Sequence, residues 1–194
     1  LPQSFVDEVN QLPEVGTASG LGFAPVMGSD GKPEPGAVIN PETAQGLLNL
    51  VFVQGSMADL TPTGVLMSVN EAKGKQLQLG DSFSLRIDGQ DVPLTLQGIY
   101  TGQDPLPSRT YHRDTFKDTS VPTPAGVVTL TRAPGVGDAE FRTAVNKIVA
   151  DYPIATLQDK NEFLDSRADL IDRSLAFVYG LLMLSVMIAF FGIV

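Results

Sequence analysis

The sequence predicts an α+β domain that leads into a membrane helix, and three observations carry that prediction. Ser82 to Ile87 and Val92 to Tyr100 alternate apolar and polar residues around a turn, the pattern of a β-hairpin; helix-period stretches such as Ala139 to Ala150 are interleaved with further short strands; and every Asp, Glu, Lys and Arg lies before Leu175. The composition agrees. With 194 residues, 43% apolar and 18% charged, the chain is long and apolar enough to bury a core.

From the start, Leu1 to Asn10 places Leu1, Phe5, Val6 and Val9 on one helical face, and Leu12-Pro13 stops it. Val15 to Met27 reads as a strand, weakened by Gly16, Gly20 and Gly22, and Gly28-Ser29-Asp30-Gly31 is a turn signal. After the Pro33, Pro35 and Gly36 loop comes a short strand, Ala37 to Asn40. Asn40 then reads as an N-cap with Pro41 at the first helical position, opening a helix over Thr43 to Leu50. Gly64 to Val69 is an apolar strand, Asn70-Glu71 the cap of a helix through Ala72 to Leu77, and Gly80-Asp81 its close.

In the hairpin that follows, Phe83, Leu85 and Ile87 share one face, Asp88 to Asp91 turn the chain, and Val92, Leu94 and Leu96 return. Thr101 to Pro124 is polar and Pro-rich, with one helical candidate at Tyr111 to Phe116. Gly126 to Arg132 is a strand and Asp138 caps a helix over Ala139 to Ala150 whose inward face is Phe141, Val145, Ile148 and Val149. Pro153 to Leu157 is the last strand. The order of elements predicts two small mixed subdomains.

From about Asp159 a helix with Phe163, Arg167, Leu170 and Ile171 on one side and Asp165, Asp169 and Asp172 on the other runs without Gly or Pro to Gly180. It continues into residues 175–194, which as a helix span roughly 30 Å, the thickness of a bilayer's hydrocarbon layer. The stretch reads as a transmembrane helix reached by a stalk, acting either as a tether or as a lever. Its C-terminal position excludes a secretory signal, and Asp172-Arg173 abutting the apolar run excludes a lipid-anchor tail. Both ends look cut, since the chain opens on Leu1 and stops on Val194 inside the apolar run, so it reads as a fragment of a longer polytopic protein. Lys160, Arg167 and Arg173 are too few to set orientation.

A formal charge of −9 disfavours nucleic acid and anionic lipid surfaces. With no Cys and one His, His112, disulfides, thiol catalysis and most zinc and triad chemistry drop out. The single cluster around that His, Asp104, Arg109, His112, Arg113 and Asp114, lies in the polar loop and reads as solvated surface. Asp88 and Asp91 bracket a turn and serve its own hydrogen bonds rather than a calcium ion. The acidic stripe reads as a wet helix face. Phosphate-loop and nucleophile-elbow motifs are missing. The expected catalytic, cofactor-binding and metal-binding residues are therefore none, and no cofactor is expected.

The ordered set Val65, Leu66, Ser68, Ala72, Leu77, Leu79, Gly80, Asp81, Leu96, Gly98 and Ile99 resembles the MacB-like periplasmic core domain of MacB and FtsX-type ABC transporter permeases. The strand and helix from Thr129 to Val149 and the stalk entering the membrane fall in the family's order. The resemblance implies a MacB-like extracytoplasmic core domain over residues 1–158, a stalk helix over 159–174 and a truncated permease transmembrane helix over 175–194, in a multi-pass cell-membrane protein with residues 1–174 outside the cytoplasm. It implies no catalysis in this chain. Its partners would be a cytoplasmic ABC ATPase subunit, a second permease half or subunit and the lipid bilayer. Its work would be the export of a lipid, lipoprotein, peptide or drug; in the alternative, it would signal to an extracytoplasmic cell-envelope enzyme without moving cargo. Within the motif, Gly80 is expected at a positive φ, Asp81 on the turn backbone, and Gly98 at a bulge or close approach.

Overall fold

A computed structural model describes residues 1–48, 50–101, 107–159, 162, 178–183 and 185, and the chain divides into two compact units, Leu1–Ala155 and Thr156–Val194. The first unit opens on α1 (Gln3–Asn10), which buries Phe5, Val6 and Val9. Asn10 pins it to the next strand: its side-chain amide donates to Val6 O and Ala18 O and accepts from Ala18 N–H, the last at 2.7 Å.

The expected strand over Val15 to Met27 is two strands, β1 (Val15–Ala24) and β2 (Met27–Gly28), parted at Pro25-Val26. β3 (Gly36–Ile39) leads into α2 (Pro41–Ala44), where Asn40 Oδ1 accepts from Glu42 N–H as its cap. The cap forms as expected, but the helix stops at Ala44 rather than Leu50. Gln45 turns extended and bridges Leu48, and Gly46 takes φ +89°, so Leu48 and Leu50 reach the apolar core from a loop. The sequence reading has no element over residues 51–63; the chain there forms β4 (Phe52–Gly55) and a 3-10 turn over Met57–Asp59.

β5 (Gly64–Ser68) is wholly buried and runs into α3 (Val69–Lys75). The cap is Ser68, whose hydroxyl accepts from Glu71 N–H, rather than Asn70-Glu71, so the helix starts on Val69. The hairpin β6 (Ser82–Ile87) and β7 (Gln90–Tyr100) turns on Asp88 and Gly89, with φ of +49° and +80°. Positive φ at both central residues is the two-residue turn whose twist suits a hairpin.

In the polar region the helical candidate from Tyr111 to Phe116 is half strand: β8 (Arg109–His112) precedes a 3-10 turn over Arg113–Phe116. Tyr111 is fully buried between β3 and β5, and that pairing overrides local propensity. β9 (Ala125–Arg132) and α4 (Asp138–Val149) follow, with Gly137 rather than Asp138 at the N-cap and Asp138 instead pairing Arg142 along the helix at 3.3 Å. Past α4, Asp151 and Tyr152 N–H bond back to helix carbonyls and Ala155 N–H bonds Tyr152 O. These turns replace the strand expected over Pro153 to Leu157, and Ile154 is 82% exposed.

The strand order is β2-β6-β7-β5-β8-β3-β1-β9, with β4 on β7, so all nine strands form one sheet rather than those of two separate subdomains. β1 and β2 lie two residues apart in sequence, yet β2 pairs β6 at the far end of that order. The sheet therefore curls, bringing the end of β1 within a two-residue link of β2, with β9 left at an open edge. Its inner face holds one cluster drawn from β1, β3, β5, β6, β7 and β8, including Ala24, Val38, Val65, Met67, Leu85, Leu96 and Tyr111, with Ala72 of α3 closing it. Its outer face holds a second cluster, where Leu21, Ile39, Leu66 and Tyr100 meet Ala44, Met57 and Leu60. Along β5, Val65 and Met67 point into the curl and Leu66 out of it, which is the two-residue period of a strand covered on both faces.

In the second unit, Asp159 N–H donates to Glu162 Oε2 at 2.7 Å and Glu162 N–H to Asp159 Oδ1 at 2.8 Å, the reciprocal pair that starts a helix. Glu162, residues 178–183 and Ser185 are helical. Most of the expected stalk and transmembrane helix, including the acidic residues 165, 169 and 172, lies outside the described residues; among the described residues no helix is long and apolar enough to cross a membrane.

Candidate functional site

The feature that separates this fold from a plain apolar core is an ion cluster at one mouth of the curl. Glu34 lies in the loop between β2 and β3 and is 3% exposed. Lys75, near the end of α3, donates to its carboxylate at 2.6 Å, and Arg109, opening β8, pairs with both Glu34 and Glu71. Two carboxylates and two cations make the cluster neutral, as a buried charged group requires. Tyr111 Oη donates to Glu34 O at 3.0 Å, and burial pushes that hydroxyl's pKa up. Lys75 Nζ stands 5.1 Å from the Phe83 ring centre, within cation–π range. A shallow groove of ≈ 380 Å³ beside it is lined by Gly28, Ser29, Asp30, Lys75, Phe83 and Ser84 among others.

The cluster binds a loop, a helix and a strand together. Its members are paired with one another, so what it supplies is positioning rather than proton transfer. Among the described residues no group of three or more His, Asp or Glu is placed to hold a metal ion.

The residues singled out from the sequence go separate ways. Arg109 joins the ion cluster. His112 is half-buried rather than exposed: its Nδ1 accepts from Asp114 N–H at 3.0 Å, and burial lowers its pKa although Asp114 and Glu42 oppose the shift. Arg113 turns back to β1 and donates to Gly20 O at 3.2 Å. Asp104 lies outside the described residues. Asp88 bonds beyond its own turn, accepting from both N–H and Oγ of Ser120, which holds its carboxyl below the usual value. Asp91 makes an exposed pair with Arg86 at 3.6 Å.

The motif residues stand where expected. Gly80 has φ +92° and Asp81 Oδ2 accepts from Gln78 N–H at 2.8 Å. The pair is stitched to β7, Gly80 N–H donating to Leu96 O and Leu96 N–H to Asp81 O. At Gly98, where β7 slips register against β5 at the unmatched Gln97, an added Cβ would stand 2.8 Å from Leu66 Cδ2 and 3.0 Å from the Phe52 ring. Glu34 carried no sequence signal, because Lys75 and Arg109 lie far along the chain; Lys75 has a local partner as well, Glu71, one helical turn back at 4.0 Å.

No family model and no curated protein matches the chain. Solved structures do. The periplasmic region of MacB from Actinobacillus actinomycetemcomitans superposes with a TM-score of 0.56 at 12% identity, over 78% of this chain and 73% of that one. The extracellular domain of the noncanonical ABC-type transporter YknZ from Gram-positive bacteria gives 0.52 at 13% identity, over 77% and 84%. A domain of a putative permease from Porphyromonas gingivalis gives 0.50 at 15%, over 80% and 69%. The likeness is one of fold, shared with extracytoplasmic domains of transporters. Within it, the chain has the fold of the MacB-like periplasmic domain.

Proposed function

We propose that this chain is the extracytoplasmic part of an ABC transporter permease of the MacB and FtsX type, non-catalytic in itself and driven by a separate cytoplasmic ATPase. The observation that carries the reading is the shared fold with three transporter domains, two of them described as periplasmic or extracellular, over 77–80% of the chain. Residues 1–158 form the outer domain, 159–174 a stalk and 175–194 the entry into a membrane bundle completed by a second permease half or subunit. The reciprocal bonds of Asp159 and Glu162 support a helix that begins where the stalk would. A curled sheet pinned by a buried ion cluster suits a body that moves as a unit when the ATPase cycles. Its work is the export of a lipid, lipoprotein, peptide or drug. Photo-crosslinking of labelled lipid and peptide to this domain, in the complete transporter under each nucleotide state, tests the reading. Nucleotide-dependent adducts are expected; none in any state, together with retrieval of a cell-envelope enzyme by the domain, would replace export with signalling.

A further inference from the structure

The single histidine of residues 1–194 holds a place that only its uncharged form can fill. His112 ends β8 and caps the 3-10 turn over Arg113–Phe116: its backbone is extended, with φ −70° and ψ 142°, and its Nδ1 accepts from Asp114 N–H at 3.0 Å. An imidazole nitrogen accepts only while it carries no proton, so this bond fixes the neutral ring with its proton on Nε2. In the charged ring both nitrogens are donors, and Asp114 N–H then meets a second N–H instead of a partner. The turn in question seats Phe116, which is 3% exposed in the inner cluster and stands edge-on to Tyr111 with ring centres 5.7 Å apart. Its other ties run from Thr115 Oγ1 to Pro62 O at 2.7 Å and from Lys117 N–H to Asp114 O at 3.3 Å. A four-residue turn has no long ladder of backbone bonds to outlast the loss of its cap.

The charged ring has other partners within reach. Two carboxylates face it, Asp114 from its own turn and Glu42 from α2, and both favour the protonated ring against the burial that opposes it. β3, whose Ile39 lies opposite His112, brings no titratable group. Arg113 turns away to Gly20 O on β1, with Asp7 and Asp114 beside it. The two forms of the ring therefore call on different partners, a backbone N–H in one and carboxylates in the other, as a two-state element requires. We propose that His112 is a proton-operated cap: uncharged, it holds the Arg113–Phe116 turn and keeps Phe116 seated in the inner cluster; charged, it leaves Asp114 N–H for a carboxylate and frees the turn. Acid then opens the apolar surface that Phe116 and Tyr111 share. The switch is a property of the fold alone; that acid reaches it from outside the cell rests on the transport reading.

Hydrogen exchange over residues 113–117 tests it, followed in the purified full-length protein from about pH 7.5 to about pH 4.5 and divided by the intrinsic rate at each pH. Two variants separate the cap from the proton. His112→Asn keeps at the cap an acceptor that does not titrate, and His112→Ala removes the acceptor. The native protein is expected to lose about tenfold in protection across the range, the weight of a lost cap. His112→Asn should stay protected throughout, and His112→Ala should lack that protection at every pH. Native protection that survives to the acid end, or protection retained in His112→Ala, would show that the turn does without the cap and would overturn the proposal. A loss in His112→Asn equal to the native one would assign the release to another group and overturn it as well. Exchange is read on purified protein, so its outcome is separate from the side of the membrane on which the domain lies.

Discussion

Glu34 is where a single side chain carries most. Its carboxylate is 3% exposed and answers both Lys75 and Arg109, so Glu34→Gln leaves two cations to share Glu71. Breaking one side of a buried ion pair costs about 3 kcal/mol. Urea unfolding should show that loss; a change below about 1 kcal/mol, as for exposed pairs, would mean the cluster is hydrated in solution. Asp88 gives a cleaner pH signature. The hydrogen bonds from Ser120 Oγ and N–H lower its pKa from 3.8, so its contribution to stability is complete above that value and is lost as pH falls through the folded value beneath it. A carboxyl-carbon titration by NMR should show that lowered midpoint, and Ser120→Ala should move it upward. His112 works the same way in a higher window: burial lowers its pKa, so the neutral ring is the native form, and stability present above pH 6.5 declines as acid charges it. The decline below pH 6.5 should be smaller in His112→Gln; equal slopes would show that the ring is solvated.

The elements that local sequence specifies are the ones the reading locates. The hairpin of β6 and β7 declares itself by alternation, and Asp88-Gly89 supplies the turn that alternation needs. The Gly80-Asp81 close works through its own backbone bonds, so it too is visible locally. β4 and β8 were missed because each is short and stands only by pairing with strands distant in sequence, Phe52 opposite Tyr100 and Thr110 opposite Ala37 and Leu66. The expected helix over Thr43 to Leu50 fails for the converse reason: three leucines mimic a helical face, while the chain delivers two of them to the outer cluster from a loop. Gly98 belongs to this scale, since it lets β7 pass Leu66 and Phe52 at the register slip. Gly98→Ala should lower stability by about 1–3 kcal/mol, the cost of overpacking, in thermal unfolding. A neutral result would mean that Leu66 and the Phe52 ring move aside freely.

At the scale of the molecule, the sequence pointed to the right kind of domain and the wrong internal division. Alternating strands and helices suggested two small bodies; the nine strands join in one sheet because β8 pairs β5 on one side and β3 on the other, a joint that no window of sequence displays. The candidate site was less legible still: Arg109 was noticed for its nearness to His112, and its true partners, Glu34 and Glu71, come from other elements. What the whole fold shares with transporter domains makes location the central claim, since a domain on the cytoplasmic side would do none of the work proposed. Ser29 and Ser108 are both exposed, and residues 1–194 hold no Cys. A single Cys placed at either serine in the full-length protein, with any other Cys removed, should be labelled by a membrane-impermeant maleimide in intact cells. Labelling only after lysis would put the domain in the cytoplasm and contradict the account.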